Sequence, residues 1–417
     1  MPMLENTRKQ EESLWINPEK IDTEVHQTIN EYSYIYLKAA QKRFMRFLPY
    51  IAEAFPETAA KKGVIESGLI EIPAMKEWLN TRGANLQGRV FLKDDAHLPV
   101  GGSVEVRGGV HAVLRIAEDL ARDAELLVPG EKYNVFNKEA YRQLFGQYTI
   151  LLCTGADLAL AAGLTAEKLG FRVIAQLPSG EAEWKKQLLK EHGIVIREYE
   201  GDYRQAVSAA KREADADPKI FLIDKDSKDL FFGYSSAALR LKVQLGKMDI
   251  SVDPEHPLFV YIPGDSAAAA GGLTYGLKEV FGRDAHCLIG ESVSSSVSWK
   301  ETLSGEHRMQ DNPSEQKTGN STADENFTEE MLRTLVSGIF QIDEESLNVY
   351  RKELVEKEQL FLEASACAGF AGPEQIQQKG TLWESYLEKE GLKDHVSDAV
   401  HIVWGTTGGL HEKVLKA

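Results

Sequence analysis

The stretch LPVGGSVEVRGGVHAVL, residues 98–114, combines the residue types found at an enzyme active-site entrance. Small residues lead to Ser103, Glu105 and Arg107, and two glycines then open a helical pattern that carries His111. Hydroxyl, carboxylate, guanidinium and imidazole groups in so short a span can bind a polar ligand or move a proton. The predicted chemistry centres on Glu105, with His111 as a further candidate acid or base.

Two more carboxylates follow apolar, strand-like runs. Asp157 comes after YTILLC, and Asp265 comes after PLFVYIP, where it precedes Ser266 and a run of alanines. Because alanine is the best helix former, a helix is predicted to start there, capped by Asp265 or Ser266. A carboxylate at a helix start occupies or repels the place where an anion would otherwise bind.

A regular alternation of strand and helix patterns must position these residues. The strand-like runs are RVFLKDD, YTILLC, FRVIAQL, IVIREYE, KIFLID and LFVYIP. From Tyr148 onward they alternate with amphipathic helical segments, including one near Tyr234 to Leu245, which indicates an α/β fold with parallel sheets covered on both faces. The first ~80 residues are predicted to be mostly helical by their 3.6-residue periodicity, and residues 305–330 are predicted to form an exposed polar loop.

The chain length, the net charge and the cysteine content narrow the possible classes of function. A length of 417 residues predicts two domains. The formal net charge of -16 argues against binding to nucleic acid or to an anionic membrane, which would need clustered Lys and Arg. The three cysteines lack metal-binding spacing, and no apolar signal core or membrane-length stretch is seen, so a cytoplasmic protein is expected.

Several long segments, in the same order along the chain, resemble the D-serine dehydratase family. They are FLKDDAHLPVGGSVEVRGGVHAVL, WKKQLLKEHGIVIREYEGDY, FLIDKDSKDLFFGYSSAALRL, PLFVYIP, LEASACAGFAGP and HIVWGTTGGL. These lyases use pyridoxal 5'-phosphate (PLP) in the fold-type-II, tryptophan-synthase-β-like architecture. The resemblance implies two parallel-sheet domains with flanking helices, a large one from residues 1–110 and 235–417 and a small one from residues 111–234.

In that family a lysine holds the cofactor as an imine, and the resemblance puts Glu105 at the lysine position. An imine needs a nucleophilic amine, which a carboxylate does not supply. Lys93 is close in sequence, but it fits the family's ordinary strand pattern and is not expected to replace the missing amine.

The resemblance assigns other pocket positions as well. Asp157 stands at the asparagine that contacts the cofactor ring, and Thr406 at the hydroxyl partner of the pyridine nitrogen. The glycine-rich phosphate loop matches the segment from Pro263, in which alanines replace glycines and hinder close approach of a phosphate. The positions that match the family's cofactor pocket are Ser103, Arg107, Asp265, Ser266, Gly271, Gly272, Thr406 and Gly408.

Acidic residues thus replace the lysine, the asparagine and a loop glycine, as Glu105, Asp157 and Asp265. In the family fold these carboxylates surround one cavity, which would then prefer an amine, another cation or a divalent metal ion. Crowded carboxylates also raise one another's pKa, which suits general acid or base chemistry.

Three functions follow as alternatives. The favoured one is a D-serine dehydratase-like paralogue without a cofactor, which binds a small cationic or amine ligand, a metal ion or a protein partner. The second is an active PLP-dependent D-serine ammonia-lyase, which the retained Ser103, Arg107 and Thr406 support. The third is a cofactor-independent enzyme that uses Glu105 and Asp157 as acid and base.

Overall fold

A computed structural model describes residues 14–21, 34–294, 298–304, 327–377 and 381–409. By the density of contacts the chain divides into two compact units. The first unit comprises Met1–Tyr34, Ser67–His97 and Ala237–Ala417, and the second comprises Ile35–Glu66 and Leu98–Ser236. Most of the predicted polar loop, residues 305–326, lies outside the described residues. Its last four residues, 327–330, were predicted wrongly, because they begin a helix in which Phe327 and Thr328 are buried. In the part of the chain that is described, no helix is long and apolar enough to cross a bilayer.

Strands of both units follow the predicted apolar runs. They are β1 (Leu14–Ile16), β2 (Leu69–Glu71), β3 (Arg89–Asp94), β4 (Thr149–Cys153), β5 (Arg172–Pro178), β6 (Val195–Tyr199), β7 (Ile220–Asp224), β8 (Leu258–Pro263), β9 (Ala285–Ser292), β10 (Gly338–Ile342) and β11 (Val400–Gly405). Each strand that the sequence predicted is present, within a residue or two of its expected ends. The short edge strands β1 and β2 were not predicted, because three residues carry too little periodicity.

Both sheets are built on parallel pairing. The first unit holds a seven-stranded sheet in the order β1-β10-β9-β8-β11-β3-β2, whose inner pairs are parallel and whose edge strands β1 and β2 are antiparallel. The second unit holds a parallel four-stranded sheet in the order β6-β5-β4-β7. The predicted α/β class with two parallel-sheet units is therefore confirmed.

The described helices include those predicted between the strands from Tyr148 onward, and others that the sequence analysis did not predict. They are Tyr34–Ala54, Pro73–Thr81, Glu105–Asp123, Glu139–Phe145, Ala156–Leu169, Glu183–Glu191, Tyr203–Ala216, Lys228–Ser235, Ala237–Lys247, Ala267–Phe281, Trp299–Ser304, Phe327–Leu335, Glu344–Glu358, Ala371–Gln377 and Thr381–Glu390. The helix expected near Tyr234 to Leu245 is two helices instead. Between them, the hydroxyls of Ser235 and Ser236 donate to the carbonyls of Phe232 and Gly233, at 2.8 and 2.7 Å.

The two units differ from the predicted division in three segments, 35–66, 98–110 and 235–236, which belong to the second unit. Side-chain packing is the reason. Phe47 packs edge-on against Tyr133, with ring centroids 4.8 Å apart. A Cβ on Gly109 would lie 3.0 Å from the Ala162 amide, so the start of the 105–123 helix sits against the Ala156–Leu169 helix.

A row of rings crosses the centre of the first unit's sheet. His401 on β11, Phe259 on β8 and His286 on β9 are register neighbours, and their ring centroids are 5.3 and 5.0 Å apart. Tyr261 Oη lies 2.9 Å from His401 Nδ1. Burial lowers the pKa of His401 to about 3 and holds that of His286 well below its usual value. Both rings are therefore neutral in the folded protein at neutral pH.

Acidification is expected to destabilise the protein through His401. Because the unfolded chain binds a proton near pH 6.5 and the folded chain does not until about pH 3, stability falls as the pH drops through that window. Between pH 8 and pH 5 this histidine alone removes about 2 kcal/mol of unfolding free energy. Urea unfolding of the wild type and His401→Gln at both pH values measures the difference. The same pH dependence in both proteins would contradict the prediction.

Candidate functional site

The helix Glu105–Asp123, here called the Glu105 helix, begins at the central residue of the sequence motif. The turn before it contains Val100 at φ 81°, a conformation that β-branched residues rarely adopt, and Gly102 at φ 63°. The amide of Gly102 donates to the carbonyl of Leu98 at 3.0 Å. This tight turn delivers Ser103 and Glu105 to the interior of the second unit, where both side chains are buried.

Glu105 accepts a hydrogen bond from the hydroxyl of Tyr234, which lies 129 residues away in sequence and is fully buried. Ser103 is also buried, and its Oγ has no hydrogen-bond partner among the described residues. Arg107 is buried as well, at 3% exposure. The geometry therefore confines one carboxylate and one hydroxyl, two residues apart, in a buried region of the second unit.

Close approach of two helices sets the Tyr234–Glu105 contact. A Cβ on Gly108 would lie 2.5 Å from Tyr234 Cζ, and a Cβ on Gly233 would lie 2.5 Å from the Arg107 carbonyl oxygen. Because Gly108 has no side chain, the Tyr234 ring packs directly against the helix at this position. Residues 105 and 108 share a helix face at i, i+3 spacing, so the ring on Gly108 carries its hydroxyl to Glu105. Sequence reasoning missed Tyr234, although a glycine one turn after a candidate acid signals such a contact.

His111 is held at both ring nitrogens. Its Nδ1 lies 2.7 Å from the Asp229 carbonyl, and Arg43 Nη1 lies 2.8 Å from its Nε2. Because arginine only donates, Nε2 accepts and the proton resides on Nδ1. Burial and the charge of Arg43 lower the pKa of His111 to about 4. The predicted acid or base is thus a neutral ring that joins Arg43 to the Lys228–Ser235 helix.

Asp157 occupies the first turn of the Ala156–Leu169 helix, and its carboxylate pairs with a lysine. Lys185 Nζ donates to Asp157 Oδ2 at 2.9 Å. Glu181 accepts the Ala156 amide at the same helix end, at 3.0 Å. Glu105 and Asp157 therefore have different partners, Tyr234 and Lys185.

In the first unit, the helix Ala267–Phe281 begins where the alanine run predicted. Its N-cap residue is Ser266, but no side chain caps it, so that part of the prediction was wrong. Instead Asp265 Oδ1 accepts the Ser266 amide at 3.1 Å and Oδ2 accepts the Ser365 hydroxyl at 3.3 Å. Gly271 and Gly272 are buried inside the helix.

The end of β11 carries the other matching positions of the first unit. Thr406 is buried, and its Oγ1 has no hydrogen-bond partner within the described chain. Gly408 adopts φ 149°, and a Cβ there would lie 2.9 Å from Leu362 Cα, so only glycine fits. Lys93 on β3 is also buried and donates to the Ser67 carbonyl at 3.1 Å and to Gln244 Oε1 at 2.7 Å.

The predicted metal site at Glu105, Asp157 and Asp265 stays a prediction. Within residues 14–21, 34–294, 298–304, 327–377 and 381–409, no group of three or more His, Cys, Asp or Glu side chains is placed to hold a metal ion. Glu105 bonds to a tyrosine, Asp157 pairs with a lysine, and Asp265 bonds to an amide and a serine. Each of the three carboxylates therefore bonds to a different kind of protein group.

Gly108→Ala is expected to lower the free energy of unfolding by about 1–3 kcal/mol, because the new methyl group overlaps the buried Tyr234 ring. Helix propensity alone favours alanine by about 1 kcal/mol. Gly246→Ala is the matched control, since nothing lies within 4 Å of its Cβ position in the helix Ala237–Lys247. Urea unfolding of both variants measures the difference, and equal stabilities would refute the packing argument.

Known proteins share both the sequence and the fold of this chain. Residues 69–385 match the family model described as pyridoxal-phosphate dependent enzyme. A protein of Halalkalibacterium halodurans named "Probable D-serine dehydratase" is 38% identical over 421 residues, covering 98% of this chain and 94% of the relative. A protein of Geobacillus stearothermophilus with the same name is 37% identical, covering 99% and 92%.

Solved structures resemble the fold of this chain at lower sequence identity. Diaminopropionate ammonia lyase from Escherichia coli, in complex with D-serine, superposes with a TM-score of 0.70 at 16% identity, covering 97% of this chain and 95% of that one. Serine racemase from Dictyostelium discoideum gives 0.58 at 14% identity, covering 89% and 97%. The predicted resemblance and fold type are confirmed, whereas the expectation of no cofactor finds no support in these similarities. The chain belongs to the family of pyridoxal-phosphate dependent enzymes.

Proposed function

We propose that this chain is a D-serine dehydratase-like protein that binds a small amino acid through its ammonium group at Glu105, without a cofactor imine at that position. The observation that carries the proposal is the buried Glu105 carboxylate, which accepts the Tyr234 hydroxyl in the segment that resembles the family's cofactor-lysine segment. A buried carboxylate that is already oriented by a donor is a natural partner for an ammonium group.

The residues at the matching positions do not fit PLP held as an imine at residue 105. A carboxylate is not an amine nucleophile. Where the family has a glycine-rich phosphate loop, a helix with alanine side chains begins at Ala267, and the Asp265 carboxylate precedes it. Negative charge at that place disfavours a phosphate. No step of the proposed function therefore involves the cofactor.

The names of the relatives and the buried groups support this ligand class. The relatives are named for D-serine, and a structural neighbour was solved with D-serine. In this chain the Ser103 hydroxyl, buried and without a partner among the described residues, is available to the ligand's polar atoms. A small D-amino acid, held at its ammonium group by Glu105 and at a second polar group by Ser103, meets both requirements.

Glu105→Gln is expected to weaken D-serine binding by at least about tenfold, because the charge-assisted hydrogen bond to the ammonium group is lost. Titration calorimetry on the full chain measures the affinity. Asp157→Asn is the matched control, because that carboxylate already pairs with Lys185, and it is expected to leave the affinity unchanged. D-glycerate, which carries a hydroxyl in place of the amino group, is expected not to bind. Equal binding of D-glycerate would contradict a site for ammonium.

A second candidate is an active PLP-dependent D-serine ammonia-lyase. The observation that favours it is Thr406, whose buried hydroxyl has no partner in the described chain and matches the family's partner of the pyridine nitrogen. PLP, when bound, supplies an electron sink for loss of the α-proton and β-hydroxyl. This candidate needs an amine other than residue 105.

Borohydride reduction in the presence of PLP separates the two candidates. We expect no reducible adduct on the wild type by intact mass, and an adduct at position 105 in Glu105→Lys, which restores the amine. Peptide mapping locates any label. An adduct on another lysine of the wild type, accompanied by pyruvate formation from D-serine, would reject the first candidate in favour of the second.

A further inference from the structure

One buried carboxylate on the Glu105 helix collects an unusual number of cationic donors. Glu118 is fully buried and accepts from Arg43 Nε at 2.9 Å, from Arg46 Nε at 2.7 Å and Nη2 at 2.9 Å, and from Arg122 Nη2 at 2.9 Å. The Tyr133 hydroxyl donates a fifth bond at 2.6 Å. These contacts lower the pKa of Glu118 against the effect of its burial. The Glu118 carboxylate is therefore ionised, and both of its oxygens accept hydrogen bonds.

The cationic charge around Glu118 exceeds the charge of that one carboxylate. Three guanidinium groups share it, and two of them remain accessible, with Arg46 35% and Arg122 50% exposed at the side chain. Each guanidinium has five N–H donors, of which Arg122 gives one to Glu118 and Arg46 gives two. Donors remain for an incoming acceptor, in a protein whose formal net charge is -16.

A pocket of about 640 Å³ opens beside these two arginines, within the second unit. The pocket is lined by apolar, cationic and other residues: Arg46, Pro49, Arg122, Leu127, Val128, Pro129, Gly130, Glu131, Lys132 and Tyr133. Val128 is 59% exposed, which is high for an aliphatic side chain beside a pocket. Glu131, the acid of the lining, is paired with Lys138 at 3.3 Å.

We propose that this pocket is a binding site, separate from Glu105, for a small ligand that carries an oxyanion, a carboxylate or a phosphate, on an apolar body. The planar guanidinium groups of Arg46 and Arg122 match the geometry of a carboxylate or a phosphate. Pro49, Leu127 and Val128 supply the apolar surface for the rest of the ligand. Glu118 keeps both arginines in place before the ligand arrives, so little side-chain entropy is lost on binding.

Titration calorimetry on the full-length protein tests the site with phenyl phosphate and phenylacetate as probes and inorganic phosphate as the oxyanion without an apolar body. At least one aromatic probe is expected to bind, and more tightly than inorganic phosphate. Binding of both probes defines an oxyanion site, and binding of one probe alone identifies the ligand as a phosphate or as a carboxylate. Failure of both probes to bind, or binding of inorganic phosphate as tight as that of phenyl phosphate, would overturn the proposal.

Two variants test whether the probes bind in this pocket. Arg122→Gln removes one cation, and Val128→Glu adds a negative charge without touching Glu118. Each is expected to weaken probe binding by at least about tenfold. Val195→Glu is the matched control, because Val195 is 57% exposed, close to the 59% of Val128, and does not line the pocket. Binding that survives in both pocket variants would refute the assignment, while loss of binding in the control would show a general effect of charge.

Discussion

Burial of the Glu105 helix is the constraint on which the second unit depends. Residues 105–114 of this helix are all buried. A helix buried on every side must either be apolar all round or satisfy its polar groups internally. This helix does the second, because Glu105, His111 and Glu118 each bond to a residue of another helix or loop. Gly108 lets the Tyr234 ring approach closely enough for its bond to Glu105 to form.

The polar partners of this helix form a continuous chain through the second unit. Arg43 bonds to both Glu118 and His111, and His111 bonds to the Asp229 carbonyl of the helix that also carries Tyr234. Breaking one member would leave a buried charge or donor without compensation, which costs far more than an exposed ion pair contributes. The candidate site at Glu105 and the arginine pocket are thus two ends of one polar framework.

Family membership and site chemistry are separate questions for this protein. The family model matches residues 69–385, and the relatives match nearly the whole chain. Chemistry depends on individual side chains that the fold presents. At residue 105 the fold presents a carboxylate that bonds to a tyrosine. At residues 265–270 it presents a helix start that no side chain caps and that follows Asp265. A shared fold therefore does not by itself carry a shared reaction.

Local sequence patterns determined the α/β class, the strands from β3 to β8 and the helix start at Ala267, because periodicity and helix propensity act over a few residues. The helix that carries His111 starts at Glu105, three residues before the glycines that the pattern indicated. Tertiary structure alone decided the partners: Tyr234 for Glu105, Lys185 for Asp157, and three arginines for Glu118. It also decided that segments 35–66 and 98–110 join the second unit and that no metal cluster forms among the described residues. These outcomes depend on contacts between residues far apart in the chain, whose pairing no local pattern encodes.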